Sequence, residues 1–200
     1  DDGSTVPLYY SRRVPSVELI NTDLDEDYLE IIEDENLSPE EEERLSKKYA
    51  RTQEVLKRDS RLEEVAKDRA KHFPSRGYLG KGMVVSIDKF TAVKMYDKVQ
   101  KYWDDEIKSL YEERSRTSSS GEKDRINEKI KYMNTVEMAV VISGEDGEVE
   151  KFKKEGLDIS KHRQRMNYID DNGHDIEDNF KDPSNPLSLV FVCAMWLTGF

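Results

Sequence analysis

Two short polar turns in this chain carry residue types that can hold a phosphate group. Ser86 lies in the apolar run Met83–Ile87, just before Lys89, and Thr198-Gly199 follows a second apolar run near the end of the chain. Hydroxyl groups and free backbone N–H groups at a helix start bind phosphate oxygens. Turns that follow strands of one parallel sheet meet at its carboxyl edge, where such sheets place their ligands. The pattern therefore predicts a site that follows the backbone of a nucleic acid.

Three apolar runs predict the strands that would position these turns. They are Met83–Ile87, Met138–Ser143 and the run that begins at Leu189. Nearly unbroken apolar runs are typical of buried parallel strands. The first run continues into Asp88–Tyr96, which has the apolar spacing of a helix, so this part has the form of half a βαβ unit. We expect an α/β fold with a parallel sheet, helices on both faces and right-handed crossovers.

The rest of the chain has few apolar residues and is mostly helical in pattern. Residues 1–21 are β-rich, and the acidic segment that follows leads into a helix starting at Ser38-Pro39-Glu40-Glu41. That helix should end at Pro74, with a break near Asp59-Ser60. Residues 100–135 predict a helical hairpin whose tip is Thr117–Gly121. Residues 149–181 fit either helix or loop.

Composition limits the kind of protein. The 200 residues are 38% charged with a formal net charge of -11, which argues against attraction of nucleic acid to the whole surface but permits a local basic groove. The sequence contains no stretch of 18 apolar residues, so we expect no membrane-spanning helix. Cys193 is the one cysteine, so an internal disulfide is excluded; it lies in the third apolar run and is expected to be a small core residue. Low cysteine content suits a cytoplasmic protein.

Several motifs suggest chemistry but fail on inspection. Gly77–Gly82 is too short for a phosphate-binding Walker loop, and Gly82 stands where that loop needs Ser or Thr. Asp170–Asp175 lacks the glycine that a calcium-binding loop requires at its sixth position. The three histidines lack metal-ligand spacing, so surface or supporting roles are expected. No nucleophile elbow is present. We therefore predict no catalytic residue and no metal site within the chain.

Both ends suggest a piece of a longer protein. The chain begins with Asp1 rather than Met, and it stops at Phe200 just after an apolar run that should be a buried strand. A folded domain seldom ends in this way, so we expect more chain on both sides.

Three segments, in order along the chain, resemble the R subunits of type I restriction-modification enzymes. Asp2–Tyr10 resembles the family's "EDGATVPIYYE" stretch between its two motor domains. Lys81–Ser86 resembles its "KAMVV" strand, which is motif IV of superfamily 2 helicases. Phe180–Pro183 with Met195–Phe200 resembles its "FKDP…DMWLTGFD", which carries motif V. Ala194 replaces the family's usual Asp before the methionine.

The resemblance implies a domain plan and a set of site residues. Residues 1–75 would be an interdomain linker with short strands and a helical arm, and residues 76–200 would be a truncated second RecA-like, P-loop NTPase-like helicase domain. Ser86 and Lys89 would contact the nucleic-acid backbone as the motif IV-like residues. Thr198 and Gly199 would couple ATP to DNA as the motif V-like residues.

The resemblance also implies a function for the parent protein. The complete subunit would use ATP and Mg²⁺ to translocate double-stranded DNA and to cleave it, as part of a type I site-specific deoxyribonuclease. Its partners would be methyltransferase and specificity subunits. The phosphate-binding loop, the acidic metal-binding motif and the nuclease domain would lie outside this chain, so the isolated chain is expected to be inactive and to bind no cofactor.

A different class of function also fits the sequence. The chain could be a non-enzymatic α/β module that binds another protein through its helical segments, residues 22–72 and 100–135, with the sheet as a scaffold. Binding to short DNA, or the lack of it, distinguishes the two classes.

Overall fold

A computed structural model describes residues 52–77 and 80–196, together with the single positions Arg13, Lys47 and Ala50. The expectations for residues 1–12 and 14–46, and those for Thr198 and Gly199, lie outside the described residues. The described chain alternates helices with short strands. In chain order, the elements are α1 (Asp59–His72), a 3-10 turn (Phe73–Ser75), β1 (Gly82–Val85), α2 (Lys89–Arg116), α3 (Ser120–Thr135), β2 (Glu137–Val141), α4 (Glu148–Lys154), α5 (Ser160–Met166), α6 (Ile176–Lys181) and β3 (Leu187–Val192).

The three strands form one small parallel sheet in the order β1-β3-β2. β3 lies in the centre, with Phe191 opposite Val84 on one side and opposite Val140 on the other. Five of the six residues of β3 are buried, because both neighbours and both faces cover it. The prediction of three parallel strands in an α/β fold is therefore confirmed.

Helices pack on both faces of this sheet, but they cover β1 on one face only. On one face Phe191 packs in a large core with side chains of α1 and α2, such as Ala66 and Val99. On the other face Val190 packs in a smaller core with Phe180 of α6. That second core does not reach β1, whose Met83 and Val85 are 39% and 55% exposed, so the prediction that β1 is a buried strand is wrong.

The connection from β1 to β2 is a long helical hairpin. Asp88 has an extended backbone and its side chain accepts the Thr91 N–H at 2.7 Å, which caps the start of α2. α2 contains 28 residues and is therefore about 42 Å long. The buried Trp103 side chain donates a hydrogen bond to the Met133 carbonyl oxygen at 3.0 Å, which joins α2 to α3. The predicted hairpin, with its break at Thr117, is confirmed.

The helix that precedes the sheet also ends where the sequence indicates. Residues 52–56 are helical, Lys57 and Arg58 are not, and α1 begins at Asp59, so the break near Asp59-Ser60 is confirmed. α1 then passes into the 3-10 turn that contains Pro74. Residues 149–181, left open between helix and loop, contain α4, α5 and α6 with loops between them.

The third strand is shorter than its apolar run. The sequence predicts a strand through Cys193 and Trp196, but β3 ends at Val192, and Ala194 and Trp196 have left-handed backbones with φ of 52° and 59°. β1 and β2 both end opposite Val192, so the pairing of the strands ends there. The chain turns, and Cys193 lies half-buried after the strand rather than within it.

Candidate nucleic-acid interface at the carboxyl edge

The turn after β1 lies directly beside the end of β3. The Ser86 N–H donates a hydrogen bond of 2.8 Å to the Val192 carbonyl oxygen, one residue past the last paired position of β1. The segments that follow β1 and β3 therefore begin next to each other. Thr198 and Gly199 lie outside the described residues, so their position beside Ser86 stays a prediction.

The Ser86 hydroxyl points into the protein. Its Oγ is buried and has no hydrogen-bond partner among the described residues. An unpaired buried hydroxyl costs about 1–3 kcal/mol. Contact with a phosphate would require this side chain to rotate toward the edge of the sheet. The rotated hydroxyl would then have a hydrogen-bond partner.

Lys89 is the first residue of α2 and takes part in an ion-pair cluster at this edge. Its Nζ lies 3.0 Å from Oε2 of Glu145, in the loop after β2, and the other oxygen, Oε1, lies 2.7 Å from Nζ of Lys151 in α4. Hydrogen bonds from Lys151 and Lys89 lower the pKa of the Glu145 carboxyl to about 2. The cluster therefore carries two positive charges and one negative charge at neutral pH.

A partly buried arginine holds the loop that carries Glu145. Arg163 of α5 donates to both carboxylate oxygens of Glu148, at 2.9 and 2.8 Å, and to the Ile142 carbonyl oxygen at 3.1 Å. Its side chain is 23% exposed and that of Glu148 is 13% exposed. Paired N–H groups that meet two carboxylate oxygens give a strong and directional contact. The contact fixes both ends of the loop, one at β2 and one at α4.

A second ion pair ties the site to the segment before α1. Asp88, which caps α2, also lies 2.7 Å from Nζ of Lys57. Burial acts to raise the pKa of Asp88, but hydrogen bonds from Lys57 and Thr91 outweigh it, so the pKa lies below its usual value. The start of α2 is therefore anchored by two ion pairs, Lys57–Asp88 and Lys89–Glu145.

At the amino edge of the sheet, where the strands begin, a lysine holds two strands together. Lys81 donates to the carbonyl oxygens of Asn185 and Leu187, at 2.7 Å each, and so joins the beginnings of β1 and β3. Burial lowers the pKa of Lys81. In the next residue, Gly82, a Cβ atom would lie 2.5 Å from the Phe73 ring. At the amino edge these contacts hold the beginnings of β1 and β3 together and leave no room for a side chain at position 82.

The histidines and the cysteine do not form a site. His162 is 4% exposed, so a surface role is wrong for it; its ring packs edge-on to Tyr96 with centroids 4.7 Å apart. Burial raises the pKa of the Cys193 thiol, as for a packed cysteine. In the part of the chain that the structure describes, no three His, Cys, Asp or Glu side chains come together as metal ligands.

The sequence singles out Ser86 and Lys89 as candidates but does not indicate the residues that surround Lys89 in the structure. Glu145 follows Lys89 by 56 residues, and Arg163 follows Glu148 by 15, so no local spacing links them. One signal was available: the segment Gly144–Gly147, which has glycine at both ends, directly follows the second predicted strand and must reach the same edge as Lys89. The charged side chain in that segment could have been placed beside the lysine.

Comparison with known proteins identifies two relatives by their sequences. No protein-family profile and no solved structure matches the chain. No described helix has both the length and the apolar character needed to cross a membrane. The chain is 28% identical over 200 residues, 99% of its length, to the type I restriction enzyme MjaIXP endonuclease subunit of Methanocaldococcus jannaschii. It is 28% identical over its entire length to the type I restriction enzyme HindI endonuclease subunit of Haemophilus influenzae.

The chain spans about 15% of the length of each of these two proteins. Both alignments run through all three segments that suggested the family, rather than through one motif alone. Over its whole length the chain therefore resembles the endonuclease subunits of two type I restriction enzymes, and the resemblance drawn from its three motifs is confirmed.

Proposed function

We propose that this chain is part of the ATP-dependent subunit that translocates and cleaves DNA in a type I restriction-modification system. The observation that carries the proposal is the alignment of the whole chain with two proteins named as type I endonuclease subunits. Within that subunit, the small parallel sheet would belong to the second RecA-like helicase domain, residues 76–200, and residues 1–75 would be the linker before it.

The carboxyl edge of the sheet is the part that would contact DNA. Ser86 and Lys89 lie there, and the Ser86 turn touches the end of β3. Lysines and hydroxyl groups make most of their nucleic-acid contacts to phosphate oxygens, without reading the sequence. Such contacts suit a protein that moves along DNA, because every step along the backbone presents the same groups.

Thr198 and Gly199 would complete this edge and couple it to ATP hydrolysis. ATP and Mg²⁺ would be held elsewhere in the subunit. The DNA would be double-stranded, and the partner proteins would be methyltransferase and specificity subunits of the same cytoplasmic complex. The described part of the chain contributes backbone contact and position, not bond cleavage.

The test is a lysine substitution in the intact subunit, assembled with its partners. Lys89→Ala should raise the Kd for a DNA duplex and lower the slope of log K against log salt by about 1. It should also slow ATP-driven translocation. Lys131→Ala, which removes an exposed lysine from α3, is the matched control and should change neither value. Equal effects of the two substitutions would contradict the proposed edge.

One observation favours a second function for a different part of the chain. The end of α2 and the start of α3 extend beyond the core, and Tyr111 is 50% exposed on this hairpin. Exposed tyrosines are common in protein interfaces. A non-enzymatic interaction role for the hairpin predicts that Tyr111→Ser weakens binding of a partner protein while DNA binding stays unchanged.

A further inference from the structure

A single carboxylate lies between two lysines at the carboxyl edge. Each oxygen of Glu145 accepts from one ammonium group, Lys151 at 2.7 Å and Lys89 at 3.0 Å. The three side chains are 52%, 25% and 35% exposed, in the order Lys151, Lys89 and Glu145. Solvent, and therefore a ligand, can reach the cluster.

We propose that Glu145 occupies the place of a DNA phosphate, that Lys151 is the second lysine of this phosphate site, and that the carboxylate leaves when DNA binds. This inference rests on the proposed function of the edge. A backbone phosphate presents two anionic oxygens, as a carboxylate does, so it can accept from the same two ammonium groups. Glu145 then acts as an internal competitor that weakens DNA binding until a phosphate displaces it.

The two lysines and the glutamate belong to different kinds of structural element, and this difference favours the exchange. Lys89 and Lys151 belong to helices α2 and α4, whereas Glu145 belongs to an irregular loop whose residues 143–147 are all exposed. Gly147, at the end of this loop, has a φ of +68°, a conformation that glycine adopts without strain. The lysines therefore stay in place while the carboxylate can swing outward.

The ends of the loop limit how far it moves. Arg163 holds the Ile142 carbonyl oxygen before the loop and the Glu148 carboxylate after it. A change of the loop between these anchors moves Glu145 without moving β2 or α4. The exchange is thus a local rearrangement and needs no change in the sheet.

Electrostatics also favours the exchange. Exposed ion pairs contribute little to stability, typically up to about 1 kcal/mol, so release of Glu145 costs little. Once it leaves, the two lysines act on the phosphate without a compensating carboxylate. A DNA phosphate belongs to a strand whose phosphates carry condensed counterions. Binding of the DNA releases some of these counterions, whereas binding of the single carboxylate of Glu145 releases none.

The experiment compares two glutamine substitutions in the intact subunit with its partners. Glu145→Gln should lower the Kd for a DNA duplex about three- to tenfold near 0.1 M salt, because it removes the competing charge. Glu150→Gln makes the same change of charge on an exposed residue of α4 next to Lys151, and should leave the Kd unchanged. Equal gains in both variants would reduce the effect to net charge and overturn the inference.

Lysine variants test the second half of the proposal. Lys151→Ala should raise the Kd for DNA about as much as Lys89→Ala does. Glu145→Gln should give a smaller gain when Lys151 is already alanine, because the carboxylate then pairs only with Lys89. If Lys89→Ala weakens DNA binding while Glu145→Gln and Lys151→Ala have no effect, the inference fails and the proposed function stands. If Lys89→Ala also has no effect, the proposed edge itself fails.

The source of the phosphate is tested in the same variants. Free nucleotide also carries phosphate groups, so the KM for ATP is measured with DNA at saturation. A lower Kd for DNA with an unchanged KM for ATP assigns the lysine pair to the DNA backbone. A changed KM with an unchanged Kd would overturn that assignment.

Discussion

The backbone N–H of Ser86 donates a 2.8 Å hydrogen bond to the carbonyl oxygen of Val192, so the turns that follow β1 and β3 begin side by side. The strands are far apart in sequence but neighbours in the sheet. This contact places the Ser86 turn beside the end of β3. All three strands end at this level, because β1 and β2 both stop opposite Val192.

The Arg163–Glu148 contact should be a main support of the site. Arg163→Ala should lower the free energy of unfolding by about 2–3 kcal/mol, because it leaves the partly buried Glu148 carboxylate without the two N–H groups that donate to it. Arg165→Ala breaks the more exposed pair with Glu137 and should cost less than about 1 kcal/mol. Urea unfolding of both variants measures the difference. Similar losses in the two would contradict a special role for Arg163.

The close packing of Gly82 against Phe73 predicts a second stability effect. A Cβ at position 82 would lie 2.5 Å from the ring, so Gly82→Ala should cost about 1–3 kcal/mol. Adding Phe73→Leu should recover at least about 1 kcal/mol of the sum of the two single effects. Gly121→Ala, at a helical position with open space, is the control and should be neutral or stabilising. Additive losses for Gly82 and Phe73 would contradict a clash between the new Cβ and the ring.

The buried histidine of α5 predicts a pH dependence of stability. Burial lowers the pKa of His162 in the folded protein below the usual value near 6.5 that it regains on unfolding. The unfolded chain therefore binds more protons as the pH falls below about 6.5, and stability falls with it. His72 shifts in the same direction, again mainly through burial, and contributes to the same loss.

His162→Gln separates the two histidines. The free energy of unfolding, measured by urea titration between pH 7.5 and about pH 5.5, should decline less steeply in this variant than in the parent protein. An equal slope in the two proteins would assign the whole decline to other groups. A rise in stability on acidification would contradict the direction of the His162 shift.

The sequence predicted the sheet because its signal is local. The residues Leu189–Val192 are apolar without alternation, and only a strand covered on both faces needs that pattern. The position at which the strand ends cannot be predicted from the local sequence. Cys193 and Trp196 continue the apolar run, and only the ends of β1 and β2 determine that the chain must turn at Val192.

The site was predictable in part, for the same reason. Ser86 and Lys89 follow a strand and begin a helix, which one window of sequence shows. Glu145 meets Lys89 across 56 residues, through the order of the strands and the loop that Arg163 holds. Such a pair becomes visible only when the sheet order is known.

The central claim is that the carboxyl edge of the sheet meets DNA, and site-specific crosslinking tests it most directly. A photo-crosslinking amino acid is placed at Ile87, which is 37% exposed in the turn after β1, or at Tyr111, which is 50% exposed on the hairpin. Each variant of the intact subunit, with its partners, is irradiated in the presence of a DNA duplex. The account predicts a crosslink to DNA from position 87 and none from position 111. A crosslink from position 111 alone would contradict it and would place the DNA on the helical hairpin.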